Sequence, residues 1–158
     1  MANARKYLYL FLISMVPIAE LRAAIPFGHI NNLSPVLTYL FAVVGNSLPV
    51  PFILLFIRRI LLFMKRVKYL DKIALFLEKK AEKNRGKVER YATFGLMFFV
   101  ALPLPGTGAW TGALVAALMN MRMKNALLSI LGGILIAGCI MTLVSWGALG
   151  FLSFLIPA

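Results

Sequence analysis

Read along its length, the chain runs through short and long apolar stretches in the same order twice. An apolar arm from Tyr7 to Val16 stops at Pro17. A short motif, PIAELRAAIPFGHINN, then leads into a long apolar stretch from Pro35 to about Ile57. The second half opens with an arm from Tyr91 to Leu102 that stops at Pro103. The segment LPLPGTGAWTGALV follows, a shorter arm runs to Met119, and after NMRMKN a long stretch extends from Ala126 to about Leu152.

Length decides what each piece can do. Crossing the hydrocarbon of a bilayer takes about 20 residues of helix, so the long stretches qualify. The arms before Pro17 and Pro103 hold only 10 and 12 residues, too few unless a helix continues through a proline. Arms that enter, turn and return are re-entrant hairpins, tolerated only where protein buries the turn or the turn lines a wet cavity. The pattern therefore predicts an all-α integral membrane protein: an inverted repeat of two units, each a re-entrant hairpin plus a transmembrane helix. Residues 1–62 form the first repeat and 91–158 the second, within one membrane domain, with 63–90 as connector. A rival topology lets the short arms cross, giving four spans and a cytoplasmic N-terminus.

The connector changes the picture through its charge. Twelve of the 17 Lys and Arg residues lie between Arg58 and Arg90, with four of the five acids. A basic segment between apolar halves is what the positive-inside rule expects of a cytoplasmic loop. The loop count does not choose between the topologies, because Arg5 and Lys6 replace Arg122 and Lys124 on the inner side. Val67, Leu70, Ala74, Leu77 and Ala81, widened by Tyr69, Ile73 and Phe76, form a stripe at helical spacing opposite the lysines. This predicts a basic amphipathic cytoplasmic helix, lying on lipid or against the bundle. It is either a plain link or a regulatory surface.

Composition agrees with the membrane class. The chain is 61% hydrophobic and 14% charged, with mean hydropathy +0.89; a globular domain is nearer half apolar and a quarter charged. The net charge of +12 raises nucleic acid as a partner, but no stacking or base-reading motif accompanies it. The lone Cys139 excludes an intramolecular disulfide and a cysteine-based metal cluster. The N-terminus has a basic start and an apolar body like a signal peptide; we read it as a retained membrane segment.

Few residues remain to carry chemistry. Glu20 is the only carboxylate outside the basic middle. It lies between Pro17 and Pro26, two positions before Arg22. Ionisable groups at membrane depth are functional candidates by default. Either the pair pins a hairpin tip, or Arg22 meets an anionic group while Glu20 exchanges a proton. Burial raises a carboxylate's pKa and a neighbouring arginine lowers it, so the two effects oppose each other.

In the second motif, Gly106, Gly108 and Gly112 permit torsions and close approaches that other residues refuse, and Pro103 and Pro105 stop the incoming helix. Amides of a turn leading into a helix near Thr111 would form a small anion-binding concavity. Thr107, Thr111 and Trp110 add hydroxyl and indole donors. The alternative is a small-residue packing seam. Asn46, with Ser47 beside Gly45, Pro49 and Pro51, marks either a kink with a satisfied polar pair or a contribution to the cavity. His29 sits at the outer rim, and a lone histidine is no metal site. No catalytic triad, metal-ligand cluster or phosphate loop is present, so neither an enzyme nor a cofactor is expected.

The order PIAELRAAIP, basic middle, LPLPGTGAWTGALVAALMNM resembles the bacterial and archaeal family of putative small multi-drug export proteins, over essentially the whole chain. That family is distantly similar to the DedA, or VTT-domain, membrane proteins. This similarity implies two hairpin-plus-span units in inverted arrangement and, for some members, proton-coupled movement of lipid phosphates. Glu20 corresponds to the acidic residue of the first DedA hairpin, and Pro105–Gly106 to the Pro-Gly of the second. Where DedA proteins place an arginine after that Pro-Gly, Gly108 stands here, which leaves Arg22 as the basic residue of the motifs.

The expectation is a small multi-pass transporter or translocase of the cytoplasmic membrane. It is proton-coupled, surrounded by membrane lipids, and moves a small or lipid-phosphate anion. Its substrate and proton site would comprise Glu20, Arg22, Asn46, Pro105, Gly106, Thr107, Gly108, Trp110 and Thr111. A chain this short offers little wall for a cavity, which points to a homodimer. Alternatives are a channel-like or structural membrane module and an exporter of organic cations, with Phe94, Phe98 and Phe99 supplying an aromatic pocket.

Overall fold

A computed structural model describes residues 2–64, 85–104 and 106–148, and the described residues contain helix and no strand. Helix α1 spans Ala2–Met15, α2 Glu20–Ile30, α3 Pro35–Ser47 and α4 Val50–Met64. After the connector come α5, Arg85–Ala101, α6, Ala109–Leu118, and α7, Met123–Leu143, which ends in a π-helical turn, Val144–Ala148. The predicted stripe between Val67 and Ala81 lies outside the described residues, as does everything beyond Ala148.

Helix α1 has 14 residues, about 21 Å at the usual rise per residue, against roughly 30 Å of hydrocarbon; α5 has 17, of which Tyr91–Ala101 are apolar. Among the described residues two helical segments are long and apolar enough to cross a membrane, Pro35–Ile60 and Met123–Gly147. The first comprises α3 and α4 and is interrupted at Leu48–Pro49, where Pro49 and Pro51 have no N–H to offer Gly45 and Ser47. Bonds from Leu48 N to Val44 O and from Ile53 N to Pro49 O carry the chain across that joint.

Pro26 lies inside α2, which runs on to Ile30. Its missing N–H removes only the bond to the Arg22 carbonyl, and a helix held on both sides by α1 and α3 accommodates that.

Within each half the short elements pack on the long one: α1 and α2 against each other and on α3, α5 and α6 against each other and on α7. The halves also interlock. Helix α2 lies on α7, and α6 lies on α4, so each returning helix packs on the long stretch of the other half. One apolar cluster joins them, with Leu10, Ile25, Val50 and Leu54 meeting Ala109, Ala113, Ala116, Ile130 and Ile134. The buried face of α6 is all alanine and glycine, which lets backbones approach closely. Leu8, Tyr9, Val36, Phe52, Phe56, Leu128 and Leu143 point outward.

Three local features recur in both halves. The returning helices end alike: Asn32 and Asn120 adopt φ of 54° and 50°. In each, the next residue, buried Leu33 or Met121, donates its amide five residues back, to Gly28 O or Ala116 O. Asparagine is the residue that best tolerates this left-handed cap after glycine. A cation then meets the end of each helix, where carbonyls carry partial negative charge: Lys6 Nζ lies 3.3 Å from Asn31 O, and Arg58 donates to Met121 O. Finally, Gly45 and Gly133 let the long stretches close on the arms, since a Cβ would stand 2.7 Å from Phe11 O in one half and from Met97 O in the other.

Candidate functional site

The turns that join arm to returning helix come together at the seam between the halves. The first, Pro17–Ala19, is strained: Ile18 has φ of 78° and Glu20 of 45°, a region that costs an ordinary L-residue about 1–2 kcal/mol. Ile18 is 93% exposed, so packing of its own side chain does not compensate. The torsions turn the chain so that Glu20 and Arg22 both face the second turn. Glu20 is only 6% exposed, and a buried carboxylate needs hydrogen-bond donors.

Those donors come from the other half. Helix α6 begins at Ala109, two residues before the expected start near Thr111, with Gly108 as its N-cap and no capping side chain of its own. The first amides of a helix lack intrahelical partners. Trp110 N donates to Glu20 Oε1 at 3.2 Å, and the Ala109 amide faces the same carboxylate. The first turn of α6 thus turns its amides toward the protein's own carboxylate. Favourable interaction of the negative charge with the positive end of α6 adds to the bond. Gly108 makes this possible in two ways: its φ is 147°, and any Cβ would collide with the Glu20 carboxylate.

Arg22 makes its contacts a few ångströms along the same turn. Its guanidinium donates to Thr107 O, to Thr107 Oγ1 at 2.6 Å, and to Leu102 O at 3.4 Å. The Thr107 hydroxyl in turn lies 2.6 Å from Leu102 O and 2.9 Å from Leu104 O. One guanidinium nitrogen, Nη2, makes all three contacts. Helix α5 has ended at Ala101 and α6 has not begun, so Arg22 supplies a donor to Thr107 O, while Leu102 O also accepts from the Leu104 amide.

A narrow cleft opens beside these contacts, lined by Glu20, Leu21, Arg22, Asn46, Val100, Pro103, Gly108, Ala109, Ile134, Ala137 and Met141. Asn46 is 1% exposed and its Oδ1 has no hydrogen-bond partner. The residue is one of those that line the cleft. The cleft has room for about one water molecule, far below the roughly 300–1,000 Å³ of sites for drug-sized ligands.

The remaining predicted residues separate. Thr107 and Trp110 act through Arg22 and through a backbone amide, while the buried indole Nε1 of Trp110 has no partner. Gly106 is exposed with φ of 87°, and neither it nor Thr111 lines the cavity. Pro105 lies outside the described residues. Phe94 and Phe98 face outward and build no aromatic pocket. His29 meets Trp146 edge-on, ring centroids 4.9 Å apart. Sequence reasoning passed over Arg58, whose position near the end of an apolar run hid its role in capping α6. Among the described residues no group of histidine, cysteine and acids could hold a metal.

Comparison with known proteins gives one match. The family model described as "Putative small multi-drug export protein" matches residues 20–140, a span that starts at Glu20, just after the first turn, and includes the second. No curated protein and no solved structure matches the chain.

Proposed function

Since the chain belongs to the putative small multi-drug export protein family, we propose that it is a small secondary transporter of the cell membrane, carrying an anionic small molecule or lipid phosphate with a proton. Membership and two apolar spans make it a membrane protein. The observation that carries the reading is the meeting of Glu20 and Arg22 with the 102–110 turn at the seam between halves. Broken helices that meet where two repeats join are a recurrent transporter plan.

The recurrent asparagine caps, the paired glycine contacts and the interlocked returning helices support an inverted repeat in which the short arms are re-entrant. In that arrangement the two turns lie near midplane, and rocking of one half on the other exposes Glu20 and Arg22 to either side in turn. Glu20 takes up and releases the proton, and Arg22 balances the charge of the cargo. The DedA resemblance extends to Glu20 but not to the arginine, since Gly108 stands at the DedA arginine position and Arg22 lies in the first motif. A second protomer would supply the rest of the wall.

Transport into proteoliposomes under an imposed proton gradient tests the reading, with fluorescent phospholipids and small organic anions as cargo. Glu20→Gln and Arg22→Ala each abolish gradient-driven uptake; retention of uptake by both variants would contradict the proposal. A second reading has support in the same contacts, because Glu20 and Arg22 also hold the halves together. If they serve only as a fastener, the variants lose thermal stability and the wild type shows no saturable transport.

A further inference from the structure

Glu20 occupies the place an anionic ligand would be expected to take. The first turn of α6 presents amides to it, Gly108 leaves no room between them for a side chain, and Arg22 stands beside it in the same cavity. A second observation points to a ligand independently: Asn46, buried and without a partner for Oδ1, lines that cavity from α3. An amide can present either its oxygen or its NH₂ by a half-turn, so Asn46 can donate to an oxyanion that no residue here supplies.

We propose that Glu20 is the resident occupant of an oxyanion subsite made by the Ala109 and Trp110 amides, Asn46 and Arg22, and that protonation of Glu20 hands this subsite to the oxyanion of the cargo. The idea rests on the transporter reading and specifies how its proton and its anion are linked. One proton adds to the Glu20 carboxylate; the neutral acid leaves the amides, and one singly charged oxyanion takes its place. The charge beside Arg22 is the same before and after, so low-dielectric surroundings oppose neither state.

The rest of the lining does not compete for the proton. It comes from α3 through Asn46, α5 and its following loop through Val100 and Pro103, α6 through Gly108 and Ala109, and α7 through Ile134, Ala137 and Met141. Among the described residues only Glu20 and Arg22 bring charge to this cavity. A subsite shaped around a carboxylate favours a carboxylate over a bulkier phosphate.

Binding of benzoate and of inorganic phosphate to the full-length protein in lipid nanodiscs, by calorimetry from pH 5.5 to 8, tests this. Benzoate affinity falls about tenfold per pH unit above the pKa of Glu20, one proton being taken up per anion, and phosphate binds at least tenfold more weakly. Glu20→Gln binds benzoate without that pH dependence, and Asn46→Leu loses about tenfold. Wild-type binding independent of pH, a Glu20→Gln variant with the wild-type slope, or no benzoate binding at any pH overturns the proposal. In any of these cases, uptake that still requires Glu20 and Arg22 leaves the transporter reading standing; uptake that requires neither removes that reading too.

Discussion

The two turns have similar tasks and opposite compositions. Each reverses an arm into a returning helix with two residues at positive φ: Ile18 and Glu20 in the first, Gly106 and Gly108 in the second. The second uses glycine, for which such torsions carry no steric cost. The first uses side chains that resist them. The difference follows from what each turn contributes. The second offers backbone, amides at 109–110 and carbonyls at 102 and 107, and a side chain at Gly108 would obstruct it. The first offers a carboxylate and a guanidinium, so one of its strained positions must hold Glu20. Strain is concentrated where the charges are, which is where functional sites commonly store it.

The comparison breaks most severely at Gly108. Gly108→Ala places a methyl group in the Glu20 carboxylate and forces alanine to a positive φ, so unfolding free energy falls by about 2–4 kcal/mol, read as a lower melting temperature in detergent. Adding Glu20→Ala recovers the collision but not the torsion. Full recovery, or none, would show that the turns do not meet as described.

Arg22 comes next. Arg22→Ala leaves Thr107 O without its donor, while Leu102 O keeps the Leu104 amide and the Thr107 hydroxyl; loss of a hydrogen bond to a charged group costs about 1.5–3 kcal/mol. Arg22→Lys recovers more than half, because one guanidinium nitrogen makes all three contacts and an ammonium carries three donors. No recovery by lysine would mean that the planar guanidinium is required here.

Two smaller effects have the opposite sign. Asn46→Leu removes a buried acceptor that has no partner and so raises stability by about 1 kcal/mol, even as it weakens anion binding. Ile18→Asn keeps the turn but places there the residue the protein itself uses at positions 32 and 120. It gains about 1 kcal/mol; a loss would mean that the exposed isoleucine packs on something, such as a second protomer.

How much of this was legible in the sequence differs between elements. The arms, the long stretches and the break at Pro103 follow from hydrophobic length and proline position, which act locally. Pro26 sits inside α2, where tertiary packing on both sides outweighs one missing backbone bond. Glu20 and Arg22 stood out as rare charges in an apolar setting, yet their partners did not. That Glu20 would cap α6 from 90 residues away depends on how the halves dock, and no spacing encodes it. The sequence pairs Glu20 with Arg22; the structure gives each of them to the backbone of the other half.

Amide hydrogen exchange in nanodiscs reads that arrangement directly, residue segment by residue segment, without knowledge of the cargo. Glu20→Ala should strip protection from the amides of 109–110, and Arg22→Ala should loosen 102–107. The asparagine cap at 28–33 should remain as protected as in the wild type. Protection at 102–110 that is unchanged in both variants would contradict the claim that the charged turn of one half completes the broken segment of the other.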